Sequence, residues 1–371
     1  MRLAFCLFRY FPFGGLQRDF VRIAKTCLAR GHGVEVYTMR WEGERFSDIP
    51  VTIIPPRGWQ NHTRIQHFIS DLQKILQHKS YDGIVGFNKM PGLTFYYAAD
   101  GCLRDKLNHK ASALHRWLPR YRTLLAHEYA VFSQNASTQI LLIAANQQEK
   151  FMQHYHTSAE RFHILPPGIQ KSSLAPVDVQ VIREKMRREY HVRENDFVLL
   201  FVGSGFRTKG LDRVLDTIAA LPIVFRESIK LFVIGQDDSA TYLDQAKSLD
   251  IQDQVQFLGG RNDVSQWMLT ADLLIHPARF ENTGTVLLEA IAAGLPVLTT
   301  DVCGYAHYVS DAEAGIVLPS PFDEKILCQT LQDMMRSPLL ATWQKNALAF
   351  AKSADLYSMP EHAVDCIEAL T

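Results

Sequence analysis

FENTGTVLLEAIAAGLPVLTT, residues 280–300, reads as a helix that runs directly into a strand. Thr283-Gly284-Thr285 form a small-residue helix start, VLLEAIAA is almost wholly apolar, and PVLTT has the composition of a buried strand. A small-residue start leaves backbone N–H groups free at the positive end of the helix dipole, where an anion such as a diphosphate is favoured. Glu281 stands at the mouth of this helix and Glu289 eight positions later. Carboxylates on either side of a bound diphosphate can hold hydroxyls at both of its ends, which is the layout of a nucleotide-sugar site. Glu289 could instead be a satisfied core charge, because glutamate is rarely buried without a partner. Its occurrence together with Glu281 and Gly284 favours the binding role.

The same alternation runs through the whole chain. LAFCLF near the N-terminus, VEVYT (34–38), VTIIP (51–55), GIVGF (83–87), ILLIAA (140–145) and FHILP (162–166) punctuate the first half. FVLLFVG (197–203), IKLFVIG (229–235), VQFLG (255–259), DLLIHP (272–277), PVLTT (296–300) and GIVLP (315–319) punctuate the second. Apolar runs with helix-length segments between them predict parallel sheets built from βαβ units. Two such series predict an α/β protein with two doubly wound, Rossmann-like domains, and a length of 371 residues exceeds what one core supports. Pro166-Pro167-Gly168 marks the hinge, which divides the chain into 1–167 and 168–353 with a tail at 354–371.

Composition excludes several classes. Lys+Arg and Asp+Glu both number 39, so no global field points to nucleic acid. The six cysteines are scattered without C-x-x-C spacing and read as reduced thiols rather than a disulfide scaffold. No apolar run is long enough to span a membrane, and the N-terminus lacks a small-residue cleavage site, so a cytoplasmic location is expected. Metal chemistry is not expected either. There is no D-x-D, Asp237-Asp238 reads as a solvated loop pair, and His154-x-His156 is too sparse for zinc.

Three further loops are candidates. Phe13-Gly14-Gly15-Leu16 follows the first strand, and its glycines permit close backbone approach to a ligand or simply make a tight turn. Asp19 is expected in the first turn of the helix that follows, where a carboxylate also complements the dipole. Gly203-Ser-Gly-Phe-Arg-Thr-Lys-Gly210 is neither a dinucleotide fingerprint nor a P-loop, which leaves a glycine loop carrying Arg207 and Lys209. Gly260-Arg261-Asn262-Asp263 ends a strand, with Asp263 an expected N-cap and Arg261 either a binding cation or an exposed one. Asp100 ends FYYAAD in the first domain, with Asn88 and Lys89 as similar polar candidates.

These segments resemble a known family. The E-x7-E spacing with G-L-P-V-L, together with FPFGGLQRD (11–19), GFNKMPGL (86–93), ILPPGI (164–169), GRND (260–263) and VCGYAHY (302–308), resembles the retaining GT-B glycosyltransferases of family 4. Within that glycogen-synthase-like group, the likeness is to glucosyltransferases of the bacterial lipopolysaccharide core. It extends nearly end to end and implies transfer of glucose from UDP-glucose to an inner-core heptose. It implies an interdomain cleft, an N-terminal acceptor domain, a C-terminal donor domain and a final helix that packs back on the first domain. It implies no metal or other cofactor. Glu289 would hold the ribose hydroxyls and Glu281 the glucose hydroxyls. Lys209, Arg207 and the backbone amides of Gly284, Thr285 and Val286 would face the diphosphate. Gly15 and Asp19 would face it from the first domain, and Arg261 would lie beside the nucleobase. Lys209, Glu281 and Asp100 carry the catalytic assignment. Asn282 and Thr283 stand where many relatives carry two small residues, so another UDP-sugar donor remains open.

Segment 103–132 is locally basic. It sets Arg104, Lys106, Lys110, Arg116, Arg120 and Arg122 against Asp105 and Glu128, with Leu107, Leu114, Trp117, Leu118, Tyr121, Leu124 and Leu125 interleaved. Cations with interfacial aromatic and aliphatic groups predict peripheral binding to an anionic leaflet. The expected place is therefore the cytoplasmic face of the inner membrane. A nucleotide-sugar epimerase would not need such a patch, and a non-catalytic sugar-binding protein would not need both glutamates and Lys209.

Overall fold

The computed structural model describes residues 1–12, 14–109, 115 and 117–371. Phe13, Lys110, Leu114 and Arg116 lie outside the described residues. The chain divides into two compact units, 1–168 with 358–371 and 169–357.

Among the described residues, the first unit is built on one parallel sheet. Its strands are β1 (Arg2–Tyr10), β2 (Gly33–Trp41), β3 (Val51–Ile53), β4 (Gly83–Gly86), β5 (Phe95–Ala98), β6 (Gln139–Leu142) and β7 (Phe162–Ile164). Their order is β3-β2-β1-β4-β5-β6-β7. The second unit holds β8 (Phe197–Val202), β9 (Ile229–Ile234), β10 (Val255–Gly259), β11 (Leu273–His276), β12 (Val297–Thr300) and β13 (Gly315–Leu318), in the order β10-β9-β8-β11-β12-β13. All pairings are parallel. Leu199 and Phe201 pack into one core layer while Val198 and Leu200 pack into the other, so both faces of the central strand β8 are covered. This is why the strands read as continuous apolar runs.

Both orders reverse direction once, between β1 and β4 and between β8 and β11. In open α/β sheets the crevice beyond the carboxyl ends of strands at such a reversal is where ligands bind. At the first reversal, Asn88 Oδ1 accepts from the Phe8 N–H at 2.7 Å and ties the two strand ends together. Asn88 is therefore committed to the framework. Lys89 is also committed: its Nζ donates to Glu128 at 2.5 Å and to the Gly101 carbonyl at 2.9 Å. Glu128 is fully buried and also accepts from the N–H groups of Leu103 and Arg104 and from the Tyr155 hydroxyl. Burial opposes its charge, but the Lys89 cation and these donors outweigh burial and hold the carboxyl below its usual range. The terminal helix Met359–Leu370 packs on the helix Gly15–Ala29, where Arg30 donates to Asp365 at 2.6 Å and to Glu368 at 2.8 Å.

Removing Glu128 would strand a largely buried ammonium and orphan the start of the helix Leu103–His109. We expect Glu128→Ala to lower the unfolding free energy by roughly 3–5 kcal/mol, measured by urea denaturation.

Candidate active site

The second reversal gathers the charged residues. The loop after β8 turns at Gly205 (φ 78°) into the short helix Phe206–Lys209, and Gly210 (φ 83°) ends it. Left-handed backbone at both ends suits glycine, and a Cβ on Gly210 would collide with the Pro277 carbonyl oxygen. The loop after β11 is fastened to this one. The Arg279 N–H donates to the Thr208 carbonyl at 2.8 Å. The Arg279 guanidinium grips both Asp212 oxygens at 2.6 and 2.8 Å. Arg213 Nη1 reaches the Pro277 and Ala278 carbonyls at 3.0 and 3.1 Å.

This clamp brings Lys209 and Glu281 into direct contact, Nζ on Oε2. The two side chains are only 19% and 13% exposed, so water screens the pair weakly. Burial lowers the Lys209 ammonium to about 8, against a smaller opposing effect from Cys303. His276, the last residue of β11, is fully buried beneath them, with Nε2 3.6 Å from Glu281 Oε2. Burial, with the nearby Lys209 charge, lowers its imidazole to about 3, so the ring is neutral.

Glu281 is bridged to Cys303, and the Tyr305 N–H donates to the Thr283 carbonyl at 2.7 Å. Gly304 permits this approach, since a Cβ there would strike the Asn282 carbonyl. The helix Thr285–Ala293 then starts from Gly284, whose φ is 85°. Its first amides lack intrahelical acceptors. Leu287, Leu288 and Ala290 to Ala293 are buried, whereas Thr285, Val286 and Glu289 are half-buried. These three lie at i, i+1 and i+4, so they share the open stripe of the helix. Lys209, Glu281, Asn282, Thr283, Gly284, Thr285, Val286 and Glu289 thus belong to one strand-end cluster.

The remaining candidates are placed differently. Arg207 is exposed and sits 3.7 Å from Asp212, which Arg279 already holds. Arg261 is paired twice with Asp263 at 2.6 Å and lies 5.6 Å from the Trp267 ring centre. Asp263 occupies the N-cap position but spends its carboxylate on Arg261, so it makes no side-chain cap. In the first unit, Gly15 is the first helical residue after Gly14. Asp19 lies in the second turn rather than the first, which removes the dipole argument. Its carboxylate accepts from the Tyr97 hydroxyl at 2.8 Å, and burial raises its pKa to about 6 against the opposing effects of Tyr97, Arg22 and Arg18. Asp100 is exposed just past β5.

Sequence reasoning missed His276 and the Arg279–Asp212 clamp. Fourteen histidines share no spacing, so only the position of His276 at the carboxyl end of a central apolar strand could have singled it out.

Two family profiles match the chain, "Glycosyltransferase Family 4" over residues 13–172 and "Glycosyl transferases group 1" over residues 182–350. The lipopolysaccharide glucosyltransferase WaaG of Escherichia coli (strain K12) is 46% identical over 368 residues, covering 99% of this chain and 98% of that protein. The crystal structure of WaaG, a glycosyltransferase involved in lipopolysaccharide biosynthesis, superposes with a TM-score of 0.95 at 45% identity, covering 98% of this chain and 99% of that one. Anabaena Alr3699/HepE in complex with UDP-glucose covers 100% of both chains with a TM-score of 0.77 at 19% identity, which bears on the fold alone.

The raised Asp19 pKa has a definite sign. The folded state binds its proton more tightly than the unfolded chain, so stability from this group is complete below about pH 4 and lost as pH rises through about 6. Asp19→Asn should therefore raise the unfolding free energy from urea denaturation at pH 7.5, by an amount on the order of 1–3 kcal/mol, and lose that advantage near pH 4.

Proposed function

This chain belongs to the family 4 glycosyltransferases that include lipopolysaccharide glucosyltransferase WaaG, and on that premise we propose that it moves glucose from UDP-glucose to the inner-core heptose of lipopolysaccharide with retention. The observation that carries the donor reading is the Lys209–Glu281 contact beside the helix start at Thr285, at the reversal between β8 and β11. In this reading the diphosphate lies against the Thr285 and Val286 amides and draws the Lys209 ammonium to itself. Glu281 is then free to accept hydrogen bonds from glucose hydroxyls, while Glu289, one turn along the same stripe, accepts from the ribose.

The hard step is departure of UDP. The bond between the sugar C1 and the β-phosphate oxygen breaks, and negative charge grows on that phosphate. A preorganised ammonium and helix N-terminus stabilise this charge without reorganisation, and we propose that they serve in place of a metal. The acceptor oxygen forms its bond to C1 on the same face, and its proton passes to the departing phosphate oxygen. No side-chain base is required.

The acceptor is a membrane glycolipid, and we propose that segment 103–132 meets the leaflet peripherally. Arg104, Trp117, Leu118, Arg120 and Arg122 are exposed there, Trp117 at 79%. Leu107 does not take part, because it is buried. Among the described residues no helix is long and apolar enough to cross a membrane.

Labelled sugar should pass from UDP-glucose, among a panel of UDP-sugars, to lipopolysaccharide truncated at the inner-core heptose. Transfer from a different donor would keep the reaction class and reassign Asn282 and Thr283 as donor-selecting. Glu281→Ala should lower transfer by about a hundredfold or more, beyond the loss of stability it causes by stranding the Lys209 ammonium, as read at a temperature where the variant is still folded. Replacing Arg104, Arg120 and Arg122 with glutamate should abolish sedimentation with anionic liposomes, and unchanged sedimentation would remove the membrane assignment.

A further inference from the structure

His276 is the group in the donor cluster that the proposed reaction leaves without work. It is fully buried, and neither ring nitrogen has a hydrogen-bond partner among the described residues. A neutral imidazole always carries one N–H, and a buried donor left unmet is costly. A leucine would fill similar space without that cost. The ring lies beside Phe201 with centroids 6.1 Å apart and planes 26° apart, and the Thr299 hydroxyl donates to the His276 backbone carbonyl at 3.0 Å.

A carboxylate oxygen, Glu281 Oε2, lies 3.6 Å from Nε2. That is too long for a hydrogen bond, and Lys209 occupies the same oxygen. Lys209 and His276 therefore flank one carboxylate oxygen, with Lys209 holding it. When a diphosphate draws the lysine away, the oxygen loses its cation, and a shift of well under 1 Å would bring the imidazole N–H to roughly 2.9 Å. We propose that His276 is a positioning residue, the second donor that receives Glu281 when Lys209 turns to the diphosphate and keeps its carboxylate aimed at the sugar. Lys209 and Glu281 thus exchange partners, the ammonium gaining an anion and the carboxylate a hydrogen-bond donor. This inference rests on the donor-site reading above.

The test compares His276→Leu with His276→Gln in the full chain, because a glutamine amide can donate to the same oxygen. His276→Leu should lower kcat for glucose transfer by about tenfold or more while the affinity for UDP, which has no sugar for Glu281 to hold, stays within roughly threefold. His276→Gln should recover most of kcat. A leucine variant that turns over like the wild type, or a glutamine variant as impaired as leucine, would overturn the proposal.

The histidine nitrogen spectrum of the wild-type protein decides independently of turnover and of whether the leucine variant folds. Adding UDP should give a Nε2–H signal shifted downfield by a new hydrogen bond, and an unchanged signal in UDP-saturated protein would overturn the proposal. A wild-type protein that shows this shift but does not use UDP-glucose would instead indict the choice of donor.

Discussion

The contact between Lys209 and Glu281 is the interaction on which the second unit is organised. Lys209 closes the short helix that follows β8 and Glu281 lies in the loop that follows β11, and each is removed from most of the solvent. Two opposite charges in such a place compensate each other, and separating them without a replacement partner is expensive. In the proposed reading a nucleoside diphosphate sugar supplies both replacements at once, an anion for the lysine and hydroxyl donors for the glutamate. In that reading the pair also sets the chemistry of what can displace it.

Much of the surrounding structure serves to keep those two side chains together. Arg279 and Arg213 stitch the loops after β8 and β11, and Gly210 and Gly304 let backbone approach where any side chain would collide. Gly284 turns the chain so that the next helix starts with its amides beside Glu281. Beneath them, the apolar strands β8 and β11 are packed on both faces. Charge placement at the rim is therefore inherited from a rigid core.

The fold was legible because burial on both faces of a parallel strand leaves a continuous apolar run, and twelve of the strands carried one. The exception, β5, is made of Phe95-Tyr-Tyr-Ala98, whose tyrosines blurred the boundary between strand and helix end. The grouping of Glu281, Gly284 and Glu289 at one helix start was legible because carboxylates beside a small-residue helix start are uncommon. What could not be read were pairings between distant segments. Arg261 and Asp263 satisfy each other, Lys89 is absorbed by Glu128 39 positions away, and Arg279 finds Asp212 across 67. Spacing along the chain says nothing about such partners, so framework cations and site cations look alike in sequence.

The account turns on the donor exchanging partners with a preformed ion pair, and UDP affinity in two variants tests that most directly. Lys209→Ala removes the cation and should weaken UDP binding by about tenfold or more. Glu281→Gln removes the competitor for that cation and should leave UDP binding unchanged or tighter, by calorimetric titration. Weakening of comparable size in both variants would mean that the pair acts as a single rigid unit, and would contradict the exchange.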